Sequence, residues 1–292
     1  MINIESLINK VYISDGAWGT FLQKKGLQPR ECPELWNLTH REAVLDIARN
    51  YIDAGADMIE TNSFGGSRFK LEKYGLADRV AELNHEAAAI SREAAGQGKW
   101  VLGSIGPTGK LLLMDEVTQD ELYEAFKEQA MALEAGGADA IVIETMTDLE
   151  EAVIAVKASK ENTAIPVFCT MTFDKLVTED YRTMMGVAPA EMVQPLVDAG
   201  ASVIGANCGN GIEGMVFIVK EIRSVHTEIP ILVHANAGMP VYRDGETVFP
   251  ESPDEMAANL KALIDAGANI VGGCCGTTPE HIARLRETLT TL

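Results

Sequence analysis

DAGANIVGG, residues 265–273, packs one structural unit into a single phrase, and the two cysteines 274–275 follow it at once. A helix ends in a small-residue turn where Gly267 suits the left-handed C-cap, and a short β-branched run then reads as a buried parallel strand. The phrase returns as DAGADMIE (53–60), EAGGADAIVIE (134–144) and DAGASVIGAN (198–207), with Gly55, Gly136 and Gly200 in the turn. The intervals are irregular, roughly 65–80 residues, which suits βα units with variable loops and not a solenoid of fixed short period.

Working outward, strands are expected near 11–14, 58–62, 100–105, 139–144, 166–172, 202–207, 231–236 and 269–274. Helices between them carry start signals. Thr39–Glu42, Thr118–Glu121 and Ser252–Glu255 read as capping boxes, and Pro279 after Thr278 starts the last helix. Eight alternations without a linker or low-complexity stretch predict an α/β protein, a single (β/α)8 TIM barrel over 1–292, with an open doubly wound sheet as runner-up.

The 292 residues hold 43 acidic against 24 basic side chains, a formal charge of -19. Such a field repels nucleic acid and anionic membrane surfaces, so neither is expected as a partner. No run reaches the ~18 apolar residues of a membrane span. The opening MINIESLINKVYISDG lacks the basic-then-apolar pattern of a secretory signal. Five cysteines, an odd number, do not suggest a disulfide framework. The expectation is a cytoplasmic protein with free thiols.

Cys208 (GANCGNG) and Cys274–Cys275 (GGCCGTTPEH) fall where strands six and eight meet their following loops, at the catalytic face of such a barrel. Three thiolates converging there could hold one ion; soft sulfur selects zinc, and three ligands leave a fourth position open. The bland alternative is a set of buried cysteines acting as small hydrophobes. GGCCGTTPEH also has the form of a phosphate cradle, but two thiols in its middle favour metal. Cys32 and Cys169 read as structural. His234 and Asn236, two apart at the end of strand seven, share a face, and either could be a weak fourth ligand; His234 could equally be a hydrogen-bonded barrel residue.

Other strand ends are polar. Asp15 precedes the Gly-rich turn of SDGAWGT, a plausible pairing of carboxylate for an ammonium with backbone amides for a carboxylate. Glu144 closes the apolar run AIVIE, where a lone carboxylate is costly without a cation. Capping or an internal ion pair is the alternative for both, and Glu60 shares the ambiguity with less support.

With DGAWGT, ETNSFGGS, GSIGPTG, GANCGNG, NAGMP and GGCCGTTPEHI in this order, the chain resembles the homocysteine S-methyltransferase family over nearly its full length. It looks most like the homocysteine-binding module that begins cobalamin-dependent methionine synthases, and less like the betaine- and S-methylmethionine-using enzymes. The resemblance implies Zn2+ on Cys208, Cys274 and Cys275, with Asn236 in the fourth position until homocysteine sulfur replaces it. It also implies Asp15 and Glu144 at the amino group, Gly16 and Ala17 amides near the carboxylate, and Asn62 and Ser104 close by. The reaction it implies is attack of a zinc-activated thiolate on a methyl group, giving methionine.

The barrel uses the whole chain, and no D-x-H-x-x-G cobalamin motif occurs. The methyl donor is therefore left as methylcobalamin on a partner corrinoid protein, or a small onium compound, or the chain is one module of a longer enzyme. A non-catalytic metal-binding or interaction barrel, and a phosphate-binding lyase or aldolase barrel, are the readings from other classes. The polar strand ends argue against the first; the second would need a Schiff-base lysine or metal-binding carboxylates at strand ends, and no such lysine is seen.

Overall fold

The computed structural model describes residues 2–243 and 245–292. Eight parallel strands line up as expected: β1 (Tyr12–Ile13), β2 (Met58–Glu60), β3 (Trp100–Ile105), β4 (Ala140–Met146), β5 (Val167–Met171), β6 (Val203–Gly211), β7 (Ile231–Asn236) and β8 (Ile270–Gly273). From β2 to β8 each pairs with the next in the chain, and β8 pairs with β1. Outside them run α1 (Arg41–Asp53), α2 (Val80–Ala95), α3 (Gln119–Ala135), α4 (Leu149–Asn162), α5 (Pro189–Ala199), α6 (Ile212–Val225), α7 (Leu260–Ala266) and α8 (Pro279–Thr291). The result is a nearly closed (β/α)8 barrel.

Period two along each strand sorts the side chains into two cores. Ile13, Ile59, Val101, Ile143 and Val233 face the helices. Met58, Leu102, Val142, Phe168, Leu232 and Ile270 fill the barrel interior, and Leu7 of the short helix Ile4–Asn9 packs among them. Each such side chain contributes roughly 1.5–3 kcal/mol on burial. Two residues further along the same inward faces, the chemistry changes: Glu60, Ser104, Glu144, Thr170, His234 and Cys274 follow Met58, Leu102, Val142, Phe168, Leu232 and Gly272. The apolar layer is the floor on which the polar layer stands.

Only β1 and β2 share no ladder among the described residues. Side chains close that seam. Asp57 donates its N–H to the Ile13 carbonyl (2.7 Å) and accepts from the Ile13 N–H through its carboxylate (3.0 Å). At the other end, the Asp15 carboxylate accepts the Glu60 N–H (2.9 Å). Asp57 belongs to the recurring phrase, and the equivalent Asp139 and Asn269 use the same two-point bond on Val101 and Ile231. An arginine from a neighbouring helix then clamps each unit: Arg286 on Gly55 and Asp57, Arg92 on Gly137 and Asp139, Arg223 on Gly267 and Asn269.

Some local expectations need correction. In EAGGADA the left-handed residue is Gly137 (φ 106), whereas Gly136 is helical (φ -78). Gly136 is small for another reason, since a Cβ there would run into the His85 carbonyl of α2. The capping boxes at Thr118 and Ser252 form, but Thr39 does not cap α1; its hydroxyl donates to the Leu35 carbonyl (3.2 Å) because residues 36–39 are themselves helical. Two short hairpins, Asp174–Lys175 with Tyr181–Arg182 and Val241–Arg243 with Glu246–Val248, lie outside the eight-strand scheme. No described helix is long and apolar enough to cross a membrane.

Burial pushes Asp57 up, but Arg286 and the Ile13 N–H outweigh it and hold the carboxyl below its ordinary value. Arg286→Ala is therefore expected to cost about 2 kcal/mol, read as a lower urea midpoint at neutral pH. A depressed carboxyl adds stability above its unfolded pKa and loses it as pH falls through the folded one. The penalty should accordingly shrink when the titration is repeated in acid.

Candidate active site

β6 carries Cys208 in its last four residues in a left-handed conformation (φ 58), and Thr145 near the end of β4 is left-handed too (φ 60). Such non-glycine backbones cost of order 1–3 kcal/mol and persist only where neighbours over-determine them. One buried amide does so here. Asn207 accepts from the Thr145 N–H and the Thr170 hydroxyl (2.7 Å each), and its side-chain NH2 donates to the Thr145 hydroxyl (2.7 Å). The Thr172 hydroxyl ties down the Asn207 carbonyl (2.8 Å).

The paired cysteines are held from both sides. Cys274 donates its N–H to the Ala235 carbonyl (2.7 Å), and the Cys275 carbonyl accepts from Ala237 (3.0 Å), so the loop lies along the end of β7. Thr277 bonds the Cys274 carbonyl through its hydroxyl (2.7 Å). Gly276 follows with φ 81, and a Cβ there would strike the Phe249 ring, so glycine is required twice over.

This geometry brings the three Sγ atoms within 4.8 Å of one another, with Cys208 and Cys275 3.9 Å apart. Hydrogen bonds from Cys274 and then Cys275 bring the Cys208 thiol down to about 3, with Gly209 and Asn236 adding to the effect. That interaction with Cys208 drives Cys274 well up and Cys275 to about 11. One thiolate forms readily, and the next two need a cation. Asn236, beside Cys208, keeps a buried Oδ1 without a hydrogen-bond partner. Three soft donors and one oxygen ligand in reserve fit a zinc ion. Cys32 and Cys169 are buried, and burial pushes both thiols up, Cys32 to about 12.

A cavity of about 290 Å³ opens beside the thiols, lined by Gly16, Ala17, Trp18, Asn62, Ser104 and Glu144 together with Glu60, His234 and the three cysteines. Glu144 accepts the Ser104 hydroxyl in a short hydrogen bond. Asn62 donates to Pro33 O (2.8 Å) and Asn37 Oδ1 (2.9 Å), and the Ala17 N–H is taken by the Thr277 hydroxyl (3.1 Å). His234 does not join the sulfurs: its Nδ1 lies 3.3 Å from Glu60 Oε1, in a buried group with Asp15. Burial lowers His234, against the opposing pull of Asp15 and Glu144, and raises all three carboxyls, Glu60 and Glu144 well above their ordinary range.

Asp15, expected at the amino group of the substrate, stands at the barrel seam. Its carboxylate already accepts from the Ser14 hydroxyl (3.0 Å), the Trp18 indole (2.8 Å) and the Glu60 N–H, and it does not line the cavity. The reason is the seam, which uses this side chain as a bridge. Asn207 and Thr277 were not singled out by sequence reasoning. Asn207 carried a signal, a polar residue inside an apolar strand one place before a candidate ligand.

The fold and site define an α/β barrel with three clustered thiols and a carboxylate-lined cavity at the carboxyl ends of its strands. The chain belongs to the homocysteine S-methyltransferase family, whose model matches residues 12–289. It is 36% identical to the methionine synthases of Mycobacterium leprae (over 299 residues) and Mycobacterium tuberculosis (over 297), covering 96% of this chain but only 24% of either relative. The chain thus spans about a quarter of those relatives' length. Its fold matches the homocysteine methyltransferase MmuM of Escherichia coli in the metallated form (TM-score 0.79, 22% identity, 97% of this chain and 99% of that one).

Asn207→Ala removes the amide that holds Cys208 and Thr145 while leaving every thiol in place. It is expected to weaken zinc binding about 10–100-fold, measured by competition with a chromophoric chelator; unchanged affinity would show that the backbone around Cys208 does not depend on this amide.

Proposed function

We propose that the protein transfers a methyl group to the sulfur of homocysteine, giving methionine, with zinc held by Cys208, Cys274 and Cys275. The observation that carries this reading is the adjacency of three thiols within 4.8 Å to a cavity walled by buried carboxylates, on one face of one barrel. Zinc on such a site acts as a Lewis acid, so a substrate thiol beside it would be a thiolate at neutral pH.

The chain's own residues do the rest. Asn236, with a buried Oδ1 that makes no hydrogen bond, would offer a bound zinc a neutral oxygen ligand beside the three thiols. The polar ends of β1 to β4, with Gly16, Ala17, Asn62, Ser104 and Glu144, receive the amino-acid end of the substrate. Asp15 serves the same wall from behind, through Trp18 and Glu60. The apolar floor of Leu102, Val142 and Phe168 keeps water from entering below. A thioether is a weaker ligand than a thiolate, so methionine would be held less tightly than homocysteine.

The donor we favour is methylcobalamin carried by a separate corrinoid protein or domain; identity to methionine synthases over a quarter of their length supports it. The same reading puts the protein in a reducing compartment such as the cytoplasm, where free thiols stay available for metal.

The test is a methyl-transfer assay with homocysteine against methylcobalamin, S-methylmethionine, S-adenosylmethionine and glycine betaine. Turnover with methylcobalamin supports the corrinoid reading; turnover with an onium donor alone replaces it, and none with any donor refutes the function. Cys208→Ala should lose both zinc and turnover. Zinc-edge spectroscopy should count three sulfur neighbours, rising to four with homocysteine, and an unchanged count would exclude direct sulfur coordination.

A further inference from the structure

β8 and β1 run side by side through a ladder that ends at the mouth of the barrel. The Tyr12 N–H donates to the Asn269 carbonyl (2.9 Å), the Ser14 N–H to Val271 (2.9 Å), and the Gly273 N–H returns to Asp15 (2.8 Å). Both chains then leave the sheet, β1 into the Gly16–Ala17 turn and β8 into the cysteine loop. No main-chain bond joins them beyond that point among the described residues. The next rung is a side chain. The Thr277 hydroxyl accepts the Ala17 N–H (3.1 Å) and donates its own proton to the Cys274 carbonyl (2.7 Å), which also accepts the Thr277 N–H (3.1 Å).

The surroundings are shaped around this hydroxyl. Thr277 is 2% exposed, and a Cβ on Gly16 or on Gly273 would stand 2.7 or 2.2 Å from its oxygen. Helix capping does not account for it, since the N-cap of α8 is Thr278. From the far side the fully buried Tyr51 of α1 donates its hydroxyl to the Ala17 carbonyl (2.8 Å), so the N–H and the carbonyl of Ala17 are both held. Cys274 is equally fixed, its N–H on Ala235 and its carbonyl on Thr277. Gly16, Ala17, Cys274 and Cys275 all line the cavity. A hydroxyl can join the two loops because it donates and accepts at once. A methyl in its place would leave the buried Ala17 N–H without a partner and take one bond from the Cys274 carbonyl.

We propose that Thr277 is a positioning residue that makes the cysteine loop and the Gly16–Ala17 turn one unit, so that metal at the thiols and substrate in the cavity are felt through the same hydroxyl. The inference rests on the proposed function, with zinc on the cysteines and the amino-acid thiol beside them. Filling the thiols holds Cys274 in place, holds Thr277 with it, and presents the Ala17 turn ready-formed to the substrate. Loss of the hydroxyl loosens both loops while every thiol and every cavity carboxylate remains.

The test follows hydrogen exchange of the Ala17 amide by NMR in the full chain, with and without zinc. Two affinities are measured beside it, zinc by chelator competition and L-homocysteine by calorimetry at saturating zinc. In the wild type, zinc should slow exchange at Ala17 about 10-fold or more. Thr277→Val, which keeps the shape and removes the hydroxyl, should abolish that slowing, weaken zinc about 10–100-fold and weaken homocysteine about 10-fold. Thr277→Ser should restore all three. Tyr51→Phe, which frees only the Ala17 carbonyl, should weaken homocysteine and leave zinc affinity as in the wild type. An Ala17 amide indifferent to zinc in the wild type overturns the proposal, and that arm requires no variant to fold. A Thr277→Val chain that melts at a lower temperature yet keeps both affinities also overturns it, because the hydroxyl would then serve stability alone. A loss confined to one affinity does the same. Should the wild type show the slowing by zinc and bind no homocysteine, the proposed function falls and the link between the two loops stands.

Discussion

Ile13 and Asp57 exchange two hydrogen bonds across the one gap in the barrel that no ladder closes among the described residues. The site depends on that exchange and on the Asp15–Glu60 bond at the other end of the seam. Without them β1 and β2 would be the two edges of an open sheet. The Gly-rich turn after β1, the carboxylate at the end of β2 and the cysteines after β8 would then not share a wall. A single buried aspartate thereby serves both architecture and chemistry. Its partners Trp18 and Glu60 line the cavity while it stays behind them.

Charge explains why the polar layer sits where it does. Three thiolates and three carboxylates within one barrel mouth would repel one another, and more so where they are buried. Under the proposed function each cluster would meet a cation of a different kind. The sulfurs suit a soft metal, and the carboxylates suit an ammonium with hydrogens to donate. Stability is given up at both places, in a left-handed Cys208 and in a buried Glu60 carboxyl whose Oε1 makes no hydrogen bond, and the apolar floor beneath offsets it.

Much of this was legible in the chain. Strand positions follow from the recurring phrase because a parallel strand buried on both faces must be a continuous apolar run, and its bounds hold to within a residue or two at most ends. β6 is the exception: it continues to Gly211, through Cys208, because its pairing with β7 resumes after an irregularity beyond Asn207. Gly136 and Gly137 could not be told apart from sequence, since either fits a turn, and the helix-side crowding by His85 that separates them is a contact over 50 positions away in the chain. Thr39 failed as a cap for a similar reason, because the preceding residues had already folded into helix.

The three cysteines could be read as a set because strand-end placement is a local property repeated at each βα junction, and the barrel geometry then leaves strands six and eight little choice but to converge. The division of labour among Asp15, Glu60, Glu144 and His234 was not readable in this way. All four are polar residues at strand ends, and sequence assigns them equal standing. What separates them is which oxygens the tertiary structure has already used: three donors on Asp15, one on Glu144, none on Glu60 Oε1. The chain by itself determined the barrel and the sulfur centre, since both follow from periodicity and junction position. Only the closed fold decided which carboxylate is left to meet a ligand, because hydrogen-bond occupancy depends on neighbours that are remote in sequence.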